Sequence, residues 1–212
     1  MAKDSNFTNK RLLIELGIYS LGLKLREKQI DQLLTYLELL NKWNQRYNLT
    51  AIKEPKKVIL KHLLDSLSVV TYLKSHRILD VGSGAGLPGV PLAIACSNDE
   101  ITLLDSCTKK TRFLMQVVIE LELINVSIVN KRIEHYQPNY LFDTIISWAF
   151  SNLIDFTQLA SRLRDPSGKL LAMKGIYPKE EIESLPVTYK VRNIYPLSIP
   201  GLEAQRHLIE LQ

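Results

Sequence analysis

The sequence predicts an α/β fold built on a mostly parallel sheet of seven strands, with helices on both faces and a helical segment in front. Three observations carry this. From Arg77 onward short apolar runs alternate with helical stretches, as in parallel sheets that bury both faces. The first of those runs closes on a glycine-rich turn that opens a helix. Everything before residue 75 reads as helix, so the chain divides there into an extension, 1–74, packed on a core, 75–212.

Within the extension, Asn9–Tyr19 is a short amphipathic helix that glycine should end near Gly17 and Gly22. Arg26–Tyr47 is longer. Its Ile30, Leu33, Leu34, Leu37, Leu40 and Trp43 recur at helical spacing and mark one buried face. Pro55 suits the first turn of a third helix, since a missing N–H costs nothing there. That helix is expected to run to Leu73 and to bury Val58, Leu63, Leu67 and Val70. In the core, the strands fall at Ile78–Val81, Glu100–Leu104, Val126–Asn130, Phe142–Ser147 and Lys169–Lys174. The helices between them are Pro88–Cys96, Lys109–Leu121 and Leu153–Leu163. Two last strands, Tyr189–Ile194 and His207–Leu211, flank a Pro-containing loop and end the sheet as a hairpin-like pair.

The composition, 46% hydrophobic and 23% charged, fits a globular chain and argues against disorder. The formal net charge of +5 is a mild sign of an anionic partner, or simply of a basic surface. Cys96 and Cys107 fit neither a metal spacing nor a disulfide framework, which suits a reducing cytosol. The segment Met1–Lys10 lacks the apolar core of a signal peptide, and no apolar run is long enough to span a bilayer. A cytoplasmic protein with no membrane partner and no metal is expected.

The motif richest in chemistry is DVGSGAGLPG, Asp80 to Gly89. Glycine lets the main chain adopt angles closed to other residues and touch a ligand, and crevices at the carboxyl ends of parallel strands are where ligands bind. Two frames compete. Gly84, Gly86 and Gly89 form a GxGxxG dinucleotide fingerprint, whose helix N-terminus would hold pyrophosphate. Asp80, Gly82, Gly84 and Gly86 instead make a frame that resembles the first motif of class I methyltransferases. Asp80 favours the second, because a strand-end carboxylate repels pyrophosphate and suits the cationic amino group of a methionine moiety. Asp105 ends the next strand and can accept hydrogen bonds from both ribose hydroxyls, which either ligand offers. Arg132, Ile133 and Glu134 follow the third strand, where an adenine would meet Ile133 and the main chain near Glu134.

The segment after the fourth strand excludes two chemistries. It reads Ser147-Trp148-Ala149-Phe150, not the Asn/Asp-Pro-Pro-aromatic of amino methylation, and neither cysteine stands where a pyrimidine-carbon enzyme places its nucleophile. No catalytic acid or base is assignable, which suggests an acceptor that is already nucleophilic. Basic clusters occur at Lys53, Lys56, Lys57 and Lys61, at Lys109, Lys110 and Arg112, and at Lys131 and Arg132. Lys174, Arg206 and His207 follow later strands. Arg132 and Lys174 stand at strand ends beside the crevice and are the leading candidates to meet nucleic acid. His62 and Asp65 are as consistent with helix packing as with function.

With these residues assembled, the chain resembles the glucose-inhibited division protein B family, the 16S ribosomal RNA guanine-N7 methyltransferases. The resemblance rests on YNLTAI at 47–52, KHLLDSL at 61–67, DVGSGAGLPGVPLAI at 80–94, LLDS at 103–106, Phe142-Asp143, MKG at 173–175 and RHLIE at 206–210. It implies a class I, Rossmann-like fold and S-adenosylmethionine as cofactor. It implies transfer to N7 of one guanine of 16S ribosomal RNA, in the small subunit or its assembly intermediate, by a monomer. It implies cofactor contacts at Gly82, Leu87, Asp105, Ser106, Ile133 and Glu134, and roles near substrate or cofactor for Arg132, Lys174 and Arg206. One position departs: the family's Ser-Arg-Ala arginine, which stands in the active site, is Trp148 here, and the resemblance makes Trp148 a candidate for contact with both the RNA and the cofactor. Loss of that cation weakens binding or slows transfer and keeps open a methyltransferase fold with reduced or lost activity. Alternatively the indole stacks on the target base, or a neighbouring arginine supplies the charge.

Overall fold

A computed structural model describes residues 2–73, 76–148 and 150–212, with side chains among the first helix's residues from Thr8 onward. The expected boundary at 74 to 75 and Ala149 lie outside the described residues, as does Met1.

The helical segment starts earlier than its sequence pattern shows. Helix α1 spans Ala2–Ser20 and carries Gly17 inside it. Gly17 does not end the helix because it is a contact point: a Cβ there would strike the Leu64 side chain. Helix α2, Glu27–Tyr47, matches its expected face, with Ile30, Leu33, Leu34 and Leu40 buried beside Tyr36. Leu37 and Trp43 are half-buried at its margin.

The third helix is not continuous. Helix α3, Pro55–Val58, passes into a π-helical stretch, Ile59–Leu64, then helix α4, Asp65–Leu67, and a 3-10 turn, Val70–Tyr72. An α-helix with one apolar stripe buries one face. Here Leu60, His62, Leu63, Leu64, Asp65, Ser66 and Leu67 are all buried, with only Lys61 among them half-buried, so the segment buries more than one face. A π turn is wider than an α turn, and such turns recur at functional sites.

The sheet has seven strands in the order β3-β2-β1-β4-β5-β7-β6. They are β1 Arg77–Val81, β2 Glu100–Leu104, β3 Val126–Val129, β4 Phe142–Trp148, β5 Arg164–Lys174, β6 Val191–Pro196 and β7 His207–Leu211. The first five pair in parallel; β7 runs antiparallel between β5 and β6, which gives the expected terminal pair. Helix α5 spans Gly89–Ala95 and α6 Thr108–Glu120. Helix α7, Leu153–Ala160, ends sooner than expected and gives way to a 3-10 turn, Ser161–Leu163. β5 begins earlier than expected because Arg164 pairs with Phe142 before the register shifts. In between, Asp165 Oδ1 holds the Ser167 N–H and hydroxyl in a side-chain turn. A short helix α8, Lys179–Glu183, was not legible in the pattern.

Two apolar clusters cover the sheet. One joins Ile14, Leu33, Tyr36 and Leu63 to Val90, Phe113 and Leu114, so the leading helices share a core with α5 and α6. The other packs Leu153, Phe156 and Ala160 against Leu79, Ile145 and Leu170. Among the described residues no helix is long and apolar enough to cross a membrane.

Candidate functional site

The strand order reverses between β1 and β4, so the crevice opens outside their carboxyl ends. Three glycines shape it. Gly82, Gly84 and Gly86 have φ of 72°, 58° and 89°, in the left-handed region where other residues are strained. The Gly82 and Ser83 N–H groups both donate to the Leu104 carbonyl at 2.8 and 3.1 Å, which folds the turn over the end of β2.

Asp105 is the hub of this turn. Its Oδ2 accepts from the Gly84 N–H and its Oδ1 from the Cys107 N–H, both at 2.8 Å. Lys110 Nζ stands 3.7 Å from Oδ2, and Asn130 donates to the Asp105 carbonyl at 3.0 Å. Each carboxylate oxygen keeps a lone pair for a further donor. The cleft beside it measures about 300 Å3 and is lined by Gly82, Asp105, Ser106, Arg132, Ile133 and Glu134. Thus six of the sequence-derived site residues converge on one cleft. Sequence reasoning missed Phe150 and Leu159, which add apolar wall. Nothing in the local pattern separates them from ordinary core positions. Larger hollows along α2, of about 350 and 410 Å3, lack both the glycine turn and the strand-end carboxylate.

Other candidates are placed differently. Asp80 is fully buried beneath the turn and does not line the cleft. Its Oδ2 accepts the Gly89 N–H at 2.9 Å, while Oδ1 has no hydrogen-bond partner among the described residues. Burial pushes this carboxyl well above the usual range, against the Gly89 and Ser83 hydrogen bonds that lower it. Asp80 thus holds the helix-start N–H of Gly89 from beneath the turn instead of facing the cleft. Gly89 is required beside it, since a Cβ would come within 2.6 Å of Asp80 Oδ2. Leu87 is likewise buried and does not line the cleft.

Two expected RNA cations are already paired. Lys174 Nζ lies 2.8 Å from Glu181 Oε2, an oxygen that also accepts the Leu153 N–H at 2.7 Å. Arg206 Nε lies 2.6 Å from Asp65 Oδ2. Asp65 is completely buried, and burial raises its carboxyl although the Arg206 hydrogen bond opposes the rise. Neither partner was foreseen, because Glu181 lies on the unread helix α8 and Asp65 beyond the unread π turn. Arg132, by contrast, is exposed at the cleft lip with Lys131.

Trp148 is half-buried at the end of β4 and meets His62 in a T-shaped contact, 5.4 Å between centroids. His62 Nε2 lies 2.7 Å from the Thr50 hydroxyl. Thus YNLTAI and KHLLDSL, far apart from β4 in sequence, meet it at the strand ends.

The model of one family, described as rRNA small subunit methyltransferase G, matches residues 29–209. The chain belongs to this family. A relative of that name from Nitrosococcus oceani is 54% identical over 200 residues, covering 94% of each chain. Another from Chromobacterium violaceum is 50% identical over 199 residues, covering 93% of this chain and 95% of its own. The resemblance read from the motifs is borne out, and with it a methyltransferase of ribosomal RNA. Among solved structures, a SAM-dependent methyltransferase from Aquifex aeolicus superposes with a TM-score of 0.58 at 18% identity, over 77% of this chain and 96% of that one. A methyltransferase from Thiobacillus denitrificans, solved with S-adenosyl-L-homocysteine, gives 0.52 at 12% identity, over 70% and 90%. At these identities the likeness speaks for the fold, and it agrees with the expected class I architecture.

Proposed function

We propose that this family member transfers a methyl group from S-adenosylmethionine to N7 of a guanine in 16S ribosomal RNA. The observation that carries the reading is the cleft at the ends of β1 to β3, where a carboxylate with spare lone pairs, an open glycine turn and an apolar wall stand together. Those groups fit the cofactor. Asp105 takes the ribose hydroxyls, Ile133 with Phe150 and Leu159 flanks the adenine, and Ser106 and Glu134 lie at its rim. Gly82 lets the main chain approach the methionine portion, with Gly84 and Gly86 holding the turn; Asp80 and Leu87 support it from below.

The cofactor supplies an electrophilic sulfonium methyl. Guanine N7 carries a lone pair and needs no deprotonation, so the protein's contribution is alignment of nitrogen, methyl carbon and sulfur. Arg132, Lys131 and Lys110 at the lip suit phosphate contacts that position the RNA. Residues 1–74 form the extension and 75–212 the catalytic core, acting as a cytoplasmic monomer on the small subunit or an assembly intermediate.

Two measurements test the reading. S-adenosylhomocysteine, present at about a hundred times its Kd, should raise the unfolding free energy by about 2.7 kcal/mol, and NAD should leave it unchanged. The reverse order would return the chain to the dinucleotide frame. Single-turnover rates should also lack a one-proton step between about pH 6 and 8; a steep step abolished by one substitution would reveal a general base.

A further inference from the structure

Outside the cofactor cleft, residues of α1, α2 and α3 and the loop before α3 enclose a hollow of about 150 Å3. Buried Leu34, Leu40 and Ile59 and half-buried Ile52 and Val58 make its lining apolar. Glu38 and Lys53 are exposed members of that lining, so the hollow opens to solvent. Lys10 is a third charged group there.

Asn44 is the buried polar group of this lining, only 5% exposed. Its Oδ1 accepts the Thr50 N–H at 2.8 Å. A main-chain N–H can only donate, so the amide cannot be turned over, and Nδ2 keeps both its hydrogens for another partner. Among the described residues Nδ2 has none, yet it is not sealed in as Asp80 Oδ1 is. The neighbouring Thr50 hydroxyl is already committed. His62 Nδ1 lies 3.1 Å from the Lys61 carbonyl and so carries the ring proton. Nε2 then accepts the Thr50 hydroxyl at 2.7 Å, and the Thr50 oxygen accepts the Ile52 N–H at 3.2 Å. A buried donor without an acceptor is costly, so one that stays reachable from an apolar hollow marks where a ligand's acceptor completes it.

We propose that this hollow takes one pyrimidine base of the ribosomal RNA, splayed out of its strand, with a base carbonyl on Asn44 Nδ2. The inference rests on the RNA reading above and adds to it a contact outside the cofactor cleft. An apolar protein cavity of this volume takes up a single benzene ring. The space therefore suits one six-membered ring with an acceptor on its edge, not the two fused rings of a purine. Two ammonium groups, Lys10 and Lys53, stand against one carboxylate, Glu38, and neither lysine makes an ion pair among the described residues. That balance favours an anion at the mouth, as the phosphate of the same nucleotide supplies. RNA read by sequence presents unstacked bases in this way. Thr50 also ties the hollow to the strand ends, since its partner His62 meets Trp148 at the end of β4.

The test uses the full chain with S-adenosylhomocysteine present to fill the cofactor cleft. Cytidine and uridine 5′-monophosphates should shift the side-chain amide resonances of Asn44, and adenosine 5′-monophosphate and ribose 5-phosphate should leave them in place. Asn44→Asp keeps the acceptor for Thr50 and removes the donor, while Val58→Phe fills the hollow. Followed on the backbone resonance of Ile52, each should weaken cytidine 5′-monophosphate about fivefold or more, with affinity for S-adenosylhomocysteine unchanged. Each should also raise KM for unmethylated small ribosomal subunits and leave kcat within about twofold. An unmoved Asn44 amide, an equal response to the adenosine nucleotide, undiminished affinity in both variants, or an unchanged KM overturns the proposal. A response to benzene and to no nucleotide overturns it too, and makes the hollow an apolar cavity only. A parent protein that binds the pyrimidine nucleotides but transfers no methyl group to ribosomal RNA would instead overturn the reading through which RNA enters.

Discussion

Asp80 and Asp105 end neighbouring strands, and the two carboxylates are held in opposite ways. Asp105 receives two main-chain N–H groups and faces the cleft. Replacing it with alanine should weaken S-adenosylhomocysteine about tenfold or more by calorimetry, the cost of losing hydrogen bonds to a charged acceptor. Affinity within twofold of the parent would remove Asp105 from the site. Asp80 is sealed in with a raised pKa, caused first by burial. A carboxyl raised on folding imposes no penalty below its unfolded pKa, and stability falls as pH climbs towards the folded value. Asp80→Asn keeps an acceptor for Gly89 without that charge. Its midpoint, relative to the parent, should therefore improve as pH rises above about 4. A difference independent of pH would mean that Asp80 ionises freely. The motif was legible at residue level because glycine at left-handed positions and acid at strand ends leave a fixed spacing. The direction of Asp80 was not, since spacing does not say whether a side chain points to ligand or backbone.

At the scale of elements, helix α4 and the loop that leads into β7 are joined by Asp65 and Arg206 across 141 residues of sequence. Asp65→Ala leaves an arginine beside an apolar void and should cost about 3–5 kcal/mol in denaturant unfolding. The double variant Asp65→Leu, Arg206→Met should recover most of that loss, because it removes both charges from a buried setting. If the double variant is as unstable as the single, the pair is not the reason for the defect. The sheet and α2 were readable because their apolar periods are regular. The break in the third helix was not: Leu60, Leu63, Leu64 and Leu67 sit at helical spacing whether or not one turn widens. Consequently His62 and Asp65 stayed ambiguous, and the partners of Lys174 and Arg206 stayed hidden.

At the scale of the whole molecule, the leading helices and the sheet share one apolar cluster, so the segments around Thr50, His62 and Asp65 are carried to the strand ends by the fold itself. The net charge of +5 is a property of this scale too. Affinity for RNA should fall steeply with salt while affinity for S-adenosylhomocysteine stays nearly constant, and parallel declines would argue against phosphate contacts. The central claim is methyl transfer to guanine N7 by a chain carrying Trp148. It is tested most directly by labelled S-adenosylmethionine, using 16S ribosomal RNA and small subunits from a strain lacking the endogenous enzyme, with the label mapped to the base. Incorporation at one guanine N7 by the parent protein is the expected result. Silence from the parent with recovery in Trp148→Arg, or label on any other atom, would contradict it.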